Sequence, residues 1–184
     1  MTTALFDLLR EHDLTEISIS ELCRTAGVHR TTFYGHYADI YAFASDTFAR
    51  MLDDLSDLAD EHAQPDDTVE AVTAAYYLTM RRLLQHILDH RAAYRMMFGT
   101  RVDAGFRRDL QQRVTRHAET AIENWNRFHL ATDLDPSLAA AFVAGGSVGV
   151  FEEWANSDST DVDARAATIV GVTQAWQGSR ELNA

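Results

Sequence analysis

Apolar residues recur at intervals of three and four along most of the chain, which is the spacing of an amphipathic helix. The segments with this spacing cover residues 4–12, 18–26, 29–37, 40–62, 68–90, 92–98, 105–130, 136–156 and 162–177. No alternation typical of a strand, no internal repeat and no low-complexity segment competes with them. Proline occurs only at positions 65 and 136. The pattern therefore predicts an all-α protein.

The best-defined boundary in the sequence is the start of the second helix. Ser18 and Glu21 fit a capping box, in which the Ser18 hydroxyl accepts from the Glu21 backbone N–H and the Glu21 carboxylate reaches back. Gly27 then supplies the left-handed residue that ends this helix. A third helix starts two residues later, as in a helix-turn-helix. We therefore predict a helix-turn-helix domain over residues 1–50 and a helical bundle over residues 51–184.

The third helix carries side chains that suit a DNA groove. If Val28, Phe33 and Tyr37 are buried, then the remaining positions point outward. Arg can donate two hydrogen bonds to guanine, Thr offers a hydroxyl and a methyl, and Tyr and His reach phosphate oxygens. The outward positions are His29, Arg30, Thr31, Thr32, Tyr34, Gly35 and His36. The alternative is a helix corner inside an ordinary bundle, but such a corner has no reason to expose this mixture.

The stretch AGVHRTTFYGHYADIYAF, preceded by ISISELC, closely resembles the DNA-binding domain of TetR-family transcriptional regulators. The resemblance implies base contacts by Arg30, Thr31 and Thr32, phosphate contacts by Tyr34 and His36, and backbone contacts by Ser18 and Ser20. The chain departs from the family pattern where its fourth helix begins. Asp39 places a carboxylate there, and Ile40 stands where the family often has Lys, although this helix end is expected to lie against a phosphate.

The same resemblance implies a function. The resemblance implies a homodimer that binds a palindromic, double-stranded operator. This dimer would repress transcription until a small-molecule effector releases it. The stretch FVAGGSVGVFEEW fits the ligand-binding and dimerisation domain of that family. The alternative is an all-helical ligand-binding protein or enzyme whose amino-terminal motif no longer binds DNA. No Ser/His/Asp or paired-carboxylate arrangement stands out, so we expect no enzymatic activity.

The larger domain contains candidate ligand and dimer contacts. A cavity between its helices would be lined by apolar residues, although methionine and aromatic stripes more often form core. The candidate ligand-binding residues are Tyr76, Tyr77, Met80, Leu84, Met97, Phe98 and Trp125. Glycines within a helix permit the close approach of another helix. The candidate dimer residues are Phe142, Gly145, Gly146, Gly149, Glu153 and Trp176.

Charge and composition narrow the class of protein. The net charge is −12, and all 16 basic residues are Arg, as is typical of a GC-rich bacterial genome. This charge argues against non-specific coating of nucleic acid, so DNA binding must be local and specific. Cys23 is the single cysteine, which excludes an internal disulfide and indicates a reducing compartment. No signal peptide or membrane span is apparent, so we expect a cytoplasmic protein without a membrane partner.

Two further features have competing interpretations. Residues 81–116 contain nine Arg against three acids, and we favour pairing with the acidic fourth helix over an anionic ligand. His86 and His90 lie one helical turn apart beside Asp89, which is a possible metal-ligand spacing. Two ligands do not make a zinc site, so we expect no metal and no cofactor.

Overall fold

The computed structural model describes residues 1–60, 68–99, 103–127 and 135–178. Within these ranges the chain forms nine helices and no strand, which confirms the all-α prediction. The helices are α1 (Thr2–Leu8), α2 (Ile19–Ala26), α3 (Arg30–Tyr34), α4 (Ile40–Asp60), α5 (Val69–Asp89), α6 (Arg91–Gly99), α7 (Asp103–Arg127), α8 (Pro136–Asn156) and α9 (Val162–Gly178).

Local sequence chemistry sets both ends of α2. The Ser18 hydroxyl accepts from the Glu21 backbone N–H at 3.1 Å, as predicted. The Glu21 carboxylate lies instead 3.8 Å from the Arg24 guanidinium, so only half of the capping box is confirmed. Gly27 has a φ of 66° and lets the Val28 N–H donate to the Cys23 carbonyl at 3.0 Å. These bonds close the helix and turn the chain directly into α3.

Two helices are shorter than predicted. α1 ends at Leu8 rather than near residue 12, because the chain tightens into a turn in which the Glu11 N–H donates to the Leu8 carbonyl at 3.1 Å. Leu14 is then buried at 2% exposure, which draws this connection inward. α3 ends at Tyr34, although one further helical bond joins the Tyr37 N–H to the Phe33 carbonyl at 3.0 Å.

α4 connects the amino-terminal helices to the rest of the bundle. It runs from Ile40 to Asp60, so the boundary predicted between residues 50 and 51 falls inside a continuous helix. α4 packs against α5 and α7, α7 packs along α8, and α5 packs on α9. One core cluster extends from Leu5 and Phe33 through Phe48 to Tyr94 and Trp154. The position of α3 is therefore linked to that of the larger bundle through shared packing.

No helix among the described residues combines the length and the apolar character that crossing a bilayer requires.

Candidate nucleic-acid interface

One buried ring anchors α3. Phe33 is fully buried and packs edge-on against Phe43, with ring centroids 5.8 Å apart. It also contacts the ring of Tyr37 at 5.8 Å. Because α3 has only five residues, this single anchor decides which of its side chains face solvent. The burial of Phe33 and the partial burial of Val28 and Tyr37 agree with the sequence prediction.

The opposite side of α3 is open. We call this region the α3 surface and define it by the nine candidate DNA-binding residues, all of which are exposed: Ser18, Ser20, His29, Arg30, Thr31, Thr32, Tyr34, Gly35 and His36. Tyr34 is 50% exposed despite its aromatic ring. An aromatic side chain held outward on a short helix is available to a partner rather than to the core.

The α3 surface combines a fixed cation with hydroxyl and imidazole groups. Arg30 is the one arginine among the nine residues, and its guanidinium lies 5.9 Å from the centroid of the Tyr34 ring. His29 is the N-cap residue of α3, and its side chain does not bond the first turn of the helix. Hydroxyls and a guanidinium in one exposed patch can bond to base edges and to phosphate oxygens.

The start of α4 differs from the sequence expectation. The Asp39 carboxylate accepts from the Ala42 N–H at 2.8 Å and caps the helix, as predicted. Ile40, however, is buried at 7% exposure in the core cluster. The sequence predicts that this helix end lies against a phosphate, but the Ile40 side chain packs inward, because the first turn of α4 covers the helix-turn-helix core. A lysine there could reach solvent only by extending its stem.

Behind the α3 surface, Tyr37 is tied to α4. Its hydroxyl donates to the Asp46 carboxylate at 2.7 Å, and Arg50 lies 2.9 Å from the same carboxylate. Burial and the neighbouring Asp46 raise the pKa of Tyr37. The helical spacing predicted that Tyr37 would be buried, but nothing in that spacing revealed a partner nine residues away.

A charge network continues from α4 to α7. Arg113 contacts Asp46 at 3.3 Å and Asp53 at 2.8 Å, and the imidazole Nε2 of His117 lies 2.7 Å from Asp53. Burial alone would raise the pKa of Asp53, but hydrogen bonds from His117 and Arg113 hold it below its usual range. Arg116 joins the same carboxylate at 3.3 Å.

The arginines of residues 81–116 form ion pairs with several parts of the bundle. Pairing with the fourth helix is confirmed for Arg113 and Arg116. Other arginines of this segment pair with α8, α9 and the loop between them. These pairs are Arg81 with Asp163, Arg95 with Asp158 and Arg107 with Glu152. The charge count identified the acidic helix, but it could not identify the pairs.

The candidate ligand-binding residues lie on α5, α6 and α7, and most of them are packed. Met80, Leu84, Met97 and Phe98 are buried in the core cluster. Tyr76 and Tyr77 are partly buried, and the Tyr77 hydroxyl donates to Asp163 at 3.0 Å. The side chain of Trp125 lies outside the described residues. Their role as ligand contacts stays a prediction.

The candidate dimer residues lie mainly on one open side of α8. Phe142 is 64% exposed, and a side chain added at Gly145, Gly146 or Gly149 would meet nothing within 4 Å. Glu153 is exposed and accepts from Arg165 on α9 at 2.7 Å. The side chain of Trp176 lies outside the described residues.

The rings of His86 and His90, the two residues with metal-ligand spacing, lie 4.8 Å apart. Among the described residues, no group of three or more His, Cys, Asp or Glu side chains could hold a metal ion. His86 instead lies among the rings of Phe6, Phe48 and Tyr94.

Solved structures of two transcriptional regulators share the fold of this chain. The TetR-family repressor AlkX of a Dietzia species, implicated in biodegradation of n-alkanes, superimposes with a TM-score of 0.70 at 14% identity, covering 97% of this chain and 93% of AlkX. The dihydroxyacetone kinase operon activator DhaS gives a TM-score of 0.66 at 17% identity, with coverage of 95% and 92%. At these identities the similarity concerns the fold. No curated protein sequence matches the chain.

The family assignment rests on the sequence of the larger bundle. Residues 75–176, more than half of the chain, match the model of the transcriptional regulator C-terminal region of TetR-type proteins. This match favours transcriptional regulation over the alternative of a ligand-binding protein or enzyme that does not bind DNA. The amino-terminal resemblance, the all-helical fold and this match agree. The chain belongs to the TetR family of transcriptional regulators.

Proposed function

We propose that this regulator works in the cytoplasm as a homodimer, binds a palindromic operator through its two α3 surfaces, and represses transcription until a small effector releases it. It acts by binding rather than by catalysis. The observation that carries the DNA-binding part is the exposure of all nine residues of the α3 surface around the buried Phe33.

The residues of the α3 surface suit different parts of the DNA. Arg30 can form two hydrogen bonds with a guanine edge, and Thr31 and Thr32 can contact a thymine methyl or a base edge. Tyr34 and His36 are placed to bond phosphate oxygens, which positions the helix without reading sequence. With a single arginine per surface, specificity rests mainly on Arg30.

The dimer contact is supported by an apolar stripe on α8. Leu138, Phe142, Gly145 and Gly149 follow one another at helical intervals of four, three and four, so they share one side of the helix. Leu138 and Phe142 are 71% and 64% exposed in the single chain. Large apolar side chains next to open glycines fit a second copy of the same helix.

Effector binding is supported by two polar atoms buried inside the bundle. The Tyr94 hydroxyl and the His86 Nε2 atom are buried and have no hydrogen-bond partner among the described residues. Their rings lie 5.8 Å apart beside Phe48. A buried polar group without a partner costs roughly 1–3 kcal/mol, which a ligand with matching polar groups would recover.

DNA binding can be tested with a duplex selected by the parent protein from a random library. Arg30→Ala should weaken binding to this duplex by roughly 1–3 kcal/mol and relax the sequence preference. Tyr34→Phe should weaken selected and unrelated duplexes by similar factors, because it removes a phosphate contact. Both variants should keep the parent's circular dichroism. Parent-like binding by both would show that the wrong surface has been assigned.

Dimer formation can be tested with a matched pair of glycine variants. Gly149 and Gly105 both have open space around them, so neither substitution should disturb the fold of one protomer. Gly149→Arg should place an unpaired charge in the proposed contact and give a monomer by light scattering. Gly105→Arg, on α7, should leave the dimer intact. A Gly149→Arg protein that stays dimeric at low concentration would refute this contact.

A further inference from the structure

We propose that Arg113, on α7, is a positioning residue for DNA recognition and acts through Asp46 and Tyr37. Arg113 lies 76 residues beyond Tyr37 in the chain, within the bundle matched by the family model. The polar contacts between them cross α4 and end directly behind the α3 surface. This inference rests on the proposed DNA-binding function and assigns a role to residues outside the contact surface.

The first link joins α7 to α4. The side chain of Arg113 is 17% exposed, and its two terminal nitrogens bind different carboxylates of α4. One nitrogen lies 2.8 Å from Asp53 and the other 3.3 Å from Asp46. A guanidinium is planar and holds its donors in a fixed arrangement. Arg113 therefore sets the position of two carboxylates at once, which a flexible surface pair would not do.

The second link joins α4 to the end of the recognition segment. The two carboxylate oxygens of Asp46 contact different residues. Oδ1 faces Arg113, and Oδ2 accepts from the Tyr37 hydroxyl at 2.7 Å. Arg50 bonds the same Tyr37 hydroxyl at 3.3 Å. A change in the orientation of this carboxylate on one side therefore changes the bond on the other side.

The third link is packing. The ring of Tyr37 contacts Phe33 at 5.8 Å and Phe43 at 5.0 Å, and the His36 ring lies 6.4 Å away. Phe33 is the anchor of α3, so the placement of Tyr37 bears directly on the placement of the α3 surface. A shift of α7 would reach the DNA-contacting side chains through Arg113, Asp46 and Tyr37. This gives the larger bundle a physical route to the DNA-binding helix.

The test is a double-mutant cycle on operator affinity, measured with the selected duplex described above. Tyr37→Phe removes the hydroxyl, and Arg113→Met removes the guanidinium at similar length. Each should raise the Kd about threefold to tenfold, and the double variant should bind at least about threefold tighter than the product of the two effects. Residues that act through one another show this non-additivity even though their side chains do not touch.

The control cycle pairs Tyr37→Phe with Arg107→Met. Arg107 lies on the same helix as Arg113, but it binds Glu152 on α8. Here the two effects on the Kd should multiply. If Arg113→Met does not fold, Arg113→Lys takes its place, because Lys keeps the charge but loses the second donor direction and should still be coupled to Tyr37.

The outcomes separate this inference from the proposed function. A network that only stabilises the fold would lower the urea midpoint of unfolding in each variant and leave the effects on the Kd multiplicative. That result, with a parent that binds DNA, would overturn the positioning role alone. A parent protein that selects no duplex at all would overturn the proposed function and the positioning role together.

Discussion

His86 makes the stability of this protein sensitive to mild acid. Its ring lies among Phe6, Phe48 and Tyr94, at centroid distances of 6.1, 6.4 and 5.8 Å. Burial in this cluster, with a smaller contribution from His90, lowers the pKa of His86 to about 4 from its ordinary value of 6.5. The neutral imidazole is therefore the form that the folded protein accommodates.

The sign and size of the effect follow from proton linkage. The unfolded chain binds a proton at position 86 as the pH falls through 6.5, whereas the folded chain binds it only near pH 4. Stability is therefore complete above about pH 6.5 and decreases as the pH falls. Each unit of pKa difference corresponds to about 1.4 kcal/mol, so about 2 kcal/mol should be lost between pH 8 and pH 5 on account of this residue.

The measurement is urea unfolding of the parent and of His86→Phe at pH 8 and pH 5, at one protein concentration. Phenylalanine keeps an aromatic ring in the cluster but cannot bind a proton. The parent should lose about 2 kcal/mol more than the variant between the two pH values. His12→Gln is the control, because it removes an exposed histidine that lies outside the ring cluster. Equal losses in the parent and in His86→Phe would refute the reasoning.

Substitutions at three further positions test individual contacts by urea unfolding. Ser18→Ala removes the α2 cap and should cost about 1 kcal/mol at pH 8, whereas Ser18→Gly should cost only a few tenths of that. Trp154→Phe removes the indole N–H that donates to the Leu84 carbonyl at 2.9 Å and part of a fully buried ring, and should cost about 1–3 kcal/mol. Asp53→Asn should destabilise the protein most near neutral pH. Its difference from the parent should shrink as the pH falls below the ordinary value of 3.8 toward the lowered pKa of Asp53, where protonation removes the same charge from the parent. A cost that does not change with pH would contradict the role given to this carboxylate.

Helix ends were predictable from sequence wherever the controlling residues lie within a few positions of each other. The Ser18 cap and the Gly27 turn have the geometry that their residue types require. α8 begins at Pro136 and ends at Asn156, as the pattern predicted, because Asp135 caps it and proline suits the first helical position. Local chemistry does not specify how far α1 extends, since the burial of Leu14 decides that.

The outward side of α3 was also predictable, because five residues with one aromatic anchor leave little choice. Which neighbouring residues pack inward against the helix-turn-helix core was harder to predict. Ile40 lies next to the cap residue Asp39, and sequence alone suggested a position facing DNA. The structure buries it, because α4 closes over the helix-turn-helix core at its first turn.

The amino-acid sequence by itself determined the helices, the turn at Gly27 and the mixture of side chains on the α3 surface, since each depends on neighbours within about one helical turn. Only the tertiary structure decided which charges meet. Arg113 binds Asp46 and Asp53, which lie 67 and 60 residues away in the chain. The pKa of His86 is lowered because rings from distant parts of the chain surround it. Electrostatic and solvation energies depend on distance in space and on exclusion of water, and neither can be read from position along the chain.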